Sequence, residues 1–171
     1  MPGLPDALEA ISEFSIGLAG FSAIAAVFAN AREMLDGAIR FRVSGLLVTA
    51  FGPGFIALAI ICLLLAGMEE STSVRTGSAI TALYLAGYAV FAFRGIARLS
   101  TPDRGKLSKS VRRFSTASSF VNFAAQILNA AVMPSYANGI LIGGLTLVLI
   151  TGALTFSQLV IGLLRSHHDA T

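Results

Sequence analysis

Polar side chains recur along one charge-free stretch of an otherwise apolar sequence. Ser115, Ser119, Asn122, Gln126 and Asn129 are separated by four, three, four and three residues. In an α-helix this spacing places all five side chains on one face. The chemistry that such a face offers is hydrogen bonding, either to other helices or to a hydrated solute.

Two functions are compatible with this polar face. Carboxamides that face lipid lack hydrogen-bond partners, so the face must contact other helices or water. Interhelical hydrogen bonds of about 0.6 kcal/mol each would favour one packing arrangement without any transport. The alternative is a hydrated path for an ion or small solute, lined in part by Asn122, Gln126 and Asn129. Packing is favoured, because carboxamides inside a membrane are less diagnostic of function than charges are.

Four glutamates flank the first two apolar runs. Glu9 and Glu13 precede the first run, and Glu69 and Glu70 follow the second. If the two pairs lie on the same, outer side, a homo-oligomer could use them as an acidic rim that concentrates cations. Simple solvation of helix ends, with negative charge near a helix N-terminus, also explains them and is favoured.

Gly52, Pro53 and Gly54 lie in the middle of the second apolar run. Proline has no amide hydrogen, so the carbonyl of Thr49 would lose its helical partner near mid-membrane. We therefore predict a helix break at these three residues, with this face directed into protein. A simple kink is favoured over the exposed carbonyls of a transporter's broken helix.

Groups that support catalysis are scarce. The apolar runs contain no Asp, Lys or His, and the two histidines, His167 and His168, lie close to the last residue. Such a pair forms no metal site without further ligands. Cys62 is the single cysteine, which excludes a disulfide within the chain. We expect no enzymatic activity, no catalytic residue, no metal and no cofactor.

The elements that would position these residues are five apolar runs, at about residues 14–31, 43–68, 76–93, 114–133 and 140–164. Each is about long enough to cross a hydrocarbon core of roughly 30 Å as a helix. Residues 114–164 carry no charge and would extend about 76 Å as one helix, so the chain must turn back. The turn-forming residues from Pro134 to Gly139 predict where it does so. The main alternative has four spans, with 114–133 on the membrane surface, because that run is the most polar of the five.

The connection from Arg94 to Arg113 is strongly basic and sets the direction of the spans. Lys and Arg accumulate on the cytoplasmic side of membrane proteins. With this connection inside, the N-terminus is outside and the C-terminus cytoplasmic, and Arg75 alone among the Lys and Arg residues is outside. Leu107, Val111 and Phe114 recur at helical spacing and predict a short interfacial helix. The candidates for contact with anionic lipid headgroups are Arg104, Lys106, Lys109, Arg112 and Arg113.

Small residues indicate where helices approach one another. One stripe of the first span is expected to face a neighbouring helix; it consists of Ser12, Ile16, Ala19, Ala23, Ala26 and Asn30. Gly139 and Gly143 form a Gly-x-x-x-Gly pair at the start of the last span, which indicates packing within or between subunits.

Composition is consistent with a membrane protein. Of 171 residues, 55% are hydrophobic and 12% are charged, against about 45–50% and about 25% in soluble domains. Despite the net charge of +3, nucleic acid is not an expected partner, because most basic residues lie between apolar runs. The tight loops and Ala/Gly-rich spans are similar to those of small bacterial inner-membrane proteins, a likeness of composition only.

We therefore predict a single all-α domain over residues 1–171, a five-span bundle in the plasma membrane, specifically a bacterial inner membrane. Its expected partners are the lipid bilayer, anionic headgroups, and further copies of itself or other membrane subunits. The expected function is a non-enzymatic accessory, assembly or scaffold role. The alternative is a small oligomeric channel or permease that uses the polar face of the fourth span.

Overall fold

A computed structural model describes the backbone of residues 3–31, 37–105 and 107–168, and the side chains of residues 3–27, 37–105 and 107–162. These residues are almost entirely helical, as predicted. In chain order the helices are α1 Leu4–Ala31, α2 Gly37–Leu65, α3 Glu70–Arg98, α4 Thr101–Gly105, α5 Lys109–Val132 and α6 Ala137–His168.

Contacts between helix ends show how the five long helices are arranged. Arg75, near the start of α3, donates from Nε to the carbonyl of Ala130 in the last turn of α5 (2.8 Å). Asn138, near the start of α6, donates to Glu70 at the start of α3 (2.6 Å). The starts of α3 and α6 and the end of α5 therefore lie together. At the opposite end, Phe41 near the start of α2 stacks on Phe91 in the last third of α3.

Four of the helices are long and apolar enough to cross a membrane: Leu4–Val27, Gly37–Leu65, Glu70–Arg98 and Ala137–Gly162. They correspond to the first, second, third and fifth predicted spans. Helix α5 contains the predicted fourth span but is not among the four, because its serines and carboxamides lower its hydropathy. At 24 residues it nevertheless extends about 36 Å, which is longer than the hydrocarbon core.

The distribution of apolar side chains is that of a membrane protein. A buried core joins α1, α2, α3 and α6 through residues such as Leu8, Leu46, Val74 and Leu145, each 0% exposed. Many other large apolar side chains point outward, which in water would be unfavourable. Lipid tails are as apolar as these side chains, so the side chains are accommodated equally well inside the bundle and in contact with lipid.

The predicted stripe of α1 coincides only in part with its packed face. Ser12 and Ala19 are buried and Ala26 is partly buried, whereas Ile16 and Ala23 are exposed. Leu8, Ser15 and Ser22, outside the stripe, are also buried. The helix begins ten residues before the predicted span, at Leu4. The spacing of small residues alone therefore identified the packed face only in part. Asn30, the last residue of that stripe, lies outside the described side chains.

The basic connection differs in detail from the predicted interfacial helix. Helix α4 begins after Ser100, whose Oγ accepts from the Asp103 amide (3.3 Å). Helix α5 begins at Lys109, with the Ser108 side chain accepting from the Val111 amide. Val111 and Phe114 are therefore part of the long helix α5 and not of a separate surface helix. Because α5 is capped by Ser108 and begins at Lys109, the predicted interfacial segment is continuous with the predicted fourth span.

Helix α2 runs through Gly52, Pro53 and Gly54 without interruption. The helix therefore does not end and restart at the predicted break. Both glycines allow a neighbour to pack closely there: a Cβ at Gly52 would overlap the ring of Tyr84, and one at Gly54 would lie 2.7 Å from the Cβ of Ser15. The segment thus serves close helix packing.

Candidate functional site

The buried carboxamides of α5 form a row of hydrogen-bonding side chains on one face of the helix that we call the amide ladder: Asn122, Gln126 and Asn129. Asn122 Nδ2 donates to the carbonyl of Gly144 (2.9 Å). Gln126 Nε2 donates to the carbonyl of Ile140 (2.9 Å) and, at 3.3 Å, to Asn122 Oδ1. The ladder therefore binds α5 to the backbone of the first half of α6.

Asn129 connects the ladder to a third helix. Its Nδ2 donates to Ser78 Oγ on α3 (2.8 Å) and to the Ala137 carbonyl at the start of α6 (2.9 Å). Asn129, Gln126 and Ser78 are each 0% exposed. Buried carboxamides need such partners because an unpaired polar group in an apolar interior is costly. The ladder is thus a buried polar contact that joins α3, α5 and α6.

Gly144 permits the close approach of α6 to this ladder. A Cβ at this position would overlap both Gln126 Nε2 and Asn122 Oδ1. Gly143, its neighbour in sequence, has nothing within 4 Å of an added Cβ, and the same is true of Gly139. The predicted Gly139–Gly143 pair is therefore exposed. In this segment of α6, it is Gly144 that packs against another helix of the same chain.

The other two members of the predicted polar face lie beyond the ladder toward the basic end. Ser115 and Ser119 are partly buried. A cavity of about 10 Å³ lies between Ser119, Asn122, Thr49 and Thr151. This volume is about that of a single water site. The predicted face is thus brought together on one side of α5. The space beside Asn122 is small, whereas Ser115 and Ser119 also border a larger groove between α3 and α5.

Two acceptor oxygens of the ladder have no hydrogen-bond partner among the described residues. They are Gln126 Oε1 and Asn129 Oδ1, and both are buried. The hydroxyls of Ser73 on α3 and Ser15 on α1 are also buried without a partner. Gln126 Oε1 and Asn129 Oδ1 are thus the atoms of the ladder that remain available to accept a hydrogen bond or to bind a cation.

The predicted acidic rim consists of residues from two helices: Glu69 and Glu70 lie at the start of α3, and Glu9 and Glu13 lie in the second and third turns of α1. Glu9, Glu13, Glu69 and Glu70 are all exposed. The end contacts of Arg75 and Asn138 place the start of α3 beside the end of α5 and the start of α6. Glu70 accepts the hydrogen bond from Asn138 and so belongs to the connection between these helices.

Tyr84 forms a contact between α3 and α2. Its ring packs on Gly52, and its hydroxyl donates to the carbonyl of Val48 on α2 (3.0 Å). This bond reaches α2 one turn before Pro53, where the helix has lost an amide donor. The adjacent Tyr88 stacks on Tyr84 with ring centroids 6.4 Å apart.

The predicted lipid-contact residues do not all have the same environment. Arg104 donates to the carbonyls of Leu99 (3.0 Å) and Ala97 (2.6 Å), so it caps the end of α3. Lys109, Arg112 and Arg113 are all exposed, and of these three Arg112 and Arg113 also line a groove between α3 and α5. Lys106 lies outside the described residues.

Among the described residues, no three His, Cys, Asp or Glu side chains come together as a metal site would require. Comparison with known proteins finds no matching family model, and no curated protein or solved structure that is significantly similar to the chain.

Proposed function

We propose that α5 crosses the membrane as the fourth of five spans, with the N-terminus outside. Its polar side chains face α3 and α6, while Phe120 (73% exposed) and Leu128 (62% exposed) point outward. A surface helix would place these apolar side chains in water and its polar face against the membrane or protein, the reverse of the usual arrangement. In a spanning α5, the apolar side chains contact lipid and the polar side chains contact α3 and α6.

The charge distribution supports the same topology. Arg94, Arg98, Arg104, Arg112 and Arg113 belong to the end of α3, to α4 and to the start of α5. The opposite end carries Glu69, Glu70 and Arg75. A bilayer between these ends, with the basic end cytoplasmic, follows the positive-inside rule. The plasma membrane, in particular a bacterial inner membrane, is the proposed location.

The proposed function is a non-enzymatic accessory or assembly role in that membrane. The observation that carries it is the use of the amide ladder: each of its three carboxamide nitrogens donates to a neighbouring helix. A ladder bonded in this way fixes the packing of α3, α5 and α6 and leaves few groups for a solute. The exposed Gly139–Gly143 pair is available for a helix of another chain.

Native mass spectrometry of the full chain, extracted from its own membranes in mild detergent, tests this role. The expected result is a complex with other membrane subunits that is lost in Gly139→Leu/Gly143→Leu. The control is Ala124→Leu, also an exposed small residue but on α5. Recovery of the protein without any other subunit would contradict the accessory role.

A small oligomeric channel or permease is the second candidate, favoured by the unpartnered oxygens Gln126 Oε1 and Asn129 Oδ1. Carbonyl oxygens of this kind can replace water around a cation. The expected observation for a channel is flux of K⁺ or Na⁺ into proteoliposomes that Gln126→Leu abolishes while helicity is unchanged. Flux that is unchanged by this substitution would contradict a path along the ladder.

A further inference from the structure

A long apolar groove separates α3 from α5 in the half of the bundle nearest the basic end. Its volume is about 830 Å³, within the range of about 300–1,000 Å³ that is typical of sites for small ligands. Three alanines of α3 form one side: Ala86, Ala89 and Ala92. Phe93 on α3 and Phe120 and Phe123 on α5 form much of the remaining lining.

The basic residues of the groove lie at one end only. Arg112 and Arg113, near the start of α5, line it there, together with Ser115. Arg112 and Ser115 also line an adjoining recess of about 110 Å³, to which Arg42, Ser108 and Gln158 contribute beside apolar residues. The apolar groove thus leads into a smaller recess beside three arginines.

We propose that this groove is a binding site for one anionic phospholipid. An acyl chain would lie along the alanines of α3, and the phosphate would lie at Arg112 and Arg113. The inference rests on the proposed five-span topology, because only a spanning α5 lets the groove open to the cytoplasmic leaflet. Basic pockets between helices on that side are suited to anionic headgroups, and guanidinium groups bind phosphate oxygens by paired hydrogen bonds.

The charge of the groove favours a lipid over a helix of another protein. Among the residues that the structure describes, no Asp or Glu lines the groove or the recess. A transmembrane helix would fill the apolar part and leave the two guanidinium groups in the headgroup region without a specific counter-ion. An anionic lipid matches both parts of the site, the apolar length and the basic end.

Native mass spectrometry of the full chain with defined lipids tests the proposal. The probes are a phosphatidylglycerol and a phosphatidylcholine with identical acyl chains. One phosphatidylglycerol per chain is expected to bind with measurable affinity, in preference to phosphatidylcholine. Arg112→Gln/Arg113→Gln should weaken it roughly 30-fold, because each Lys or Arg near an anionic lipid contributes a factor of roughly five.

Two matched controls separate the groove from general electrostatics. Arg98→Gln/Lys109→Gln removes the same charge from exposed positions outside the groove, and it should change binding less than about threefold. Ala89→Phe fills the groove without changing charge and should abolish binding, whereas Ala79→Phe, exposed on the same helix, should not. Ala89→Leu repeats the test with a smaller side chain if Ala89→Phe does not fold.

Equal losses in the two double variants, equal binding of both lipids, or full binding by the folded Ala89 variant would each overturn the proposal. Failure of the five-span topology gives a different result: a cysteine at Ser135 would then be labelled from the cytoplasmic side. Unchanged lipid binding in the groove variants together with outside labelling at Ser135 would refute the lipid site alone.

Discussion

Gly144→Ala is the substitution that most directly perturbs the contact between α6 and the amide ladder. The added methyl group would overlap Gln126 Nε2 and Asn122 Oδ1. Both carboxamides would have to move, and their hydrogen bonds to the carbonyls of Ile140 and Gly144 would be lost or weakened. The same change at Gly143 meets nothing within 4 Å, so Gly143→Ala is the matched control.

The expected magnitude follows from three contributions. Two interhelical hydrogen bonds at about 0.6 kcal/mol each contribute about 1.2 kcal/mol, and overpacking costs about 1–3 kcal/mol. The intrinsic gain of replacing a helical glycine by alanine, about 0.5–1 kcal/mol, applies to both variants and cancels in their difference. The free energy of unfolding of Gly144→Ala should therefore lie about 2–4 kcal/mol below that of Gly143→Ala.

Unfolding in mixed micelles with increasing dodecyl sulfate measures this difference. The chain contains no tryptophan, so far-ultraviolet circular dichroism is the appropriate probe. Gln126→Ala combined with Gly144→Ala should recover part of the loss, since residues in contact do not act additively. Equal stability of the two alanine variants would refute the close approach of α6 to the ladder.

Two further predictions concern contacts between other helices. Tyr84→Phe removes the donor to the Val48 carbonyl and should lower the free energy of unfolding by about 0.5–1.5 kcal/mol. The control is Tyr136→Phe, at a position that is 67% exposed, which should change the free energy of unfolding by less than about 0.5 kcal/mol. Equal effects of the two substitutions would show that the Tyr84 hydroxyl contributes no bond. Arg75→Gln removes the guanidinium at the last carbonyls of α5 and should cost about 0.3–1 kcal/mol in the same unfolding assay; no loss relative to Arg98→Gln would indicate that this contact does not stabilise α5.

The amide ladder is the part of the site that could be predicted best from sequence. Its spacing of four and three residues specified one helix face, and the cost of placing carboxamides in lipid required that face to be covered. The partners could not be predicted, because they are backbone carbonyls of α6 and the hydroxyl of Ser78. Every residue has a backbone carbonyl, so a sequence does not indicate which carbonyls accept hydrogen bonds from side chains.

The packed faces of the apolar helices were harder to predict. In lipid, an apolar side chain is as well accommodated outside the bundle as inside, so the hydrophobic pattern does not distinguish the two faces of α1. Ser15 and Ser22, which are buried, marked the correct face better than Ala23 did. Similarly, Gly144 could not be distinguished from Gly143 until the position of Gln126 was known.

The side of the membrane on which the α5–α6 connection lies tests the proposed arrangement most directly. Single cysteines at Ser135 and Gly105, both exposed, are introduced in a Cys62→Ser background and treated with an impermeant thiol reagent. A spanning α5 predicts labelling of the first only from outside and of the second only from inside. Labelling of both positions from the cytoplasmic side would place α5 on the membrane surface and contradict the five-span bundle.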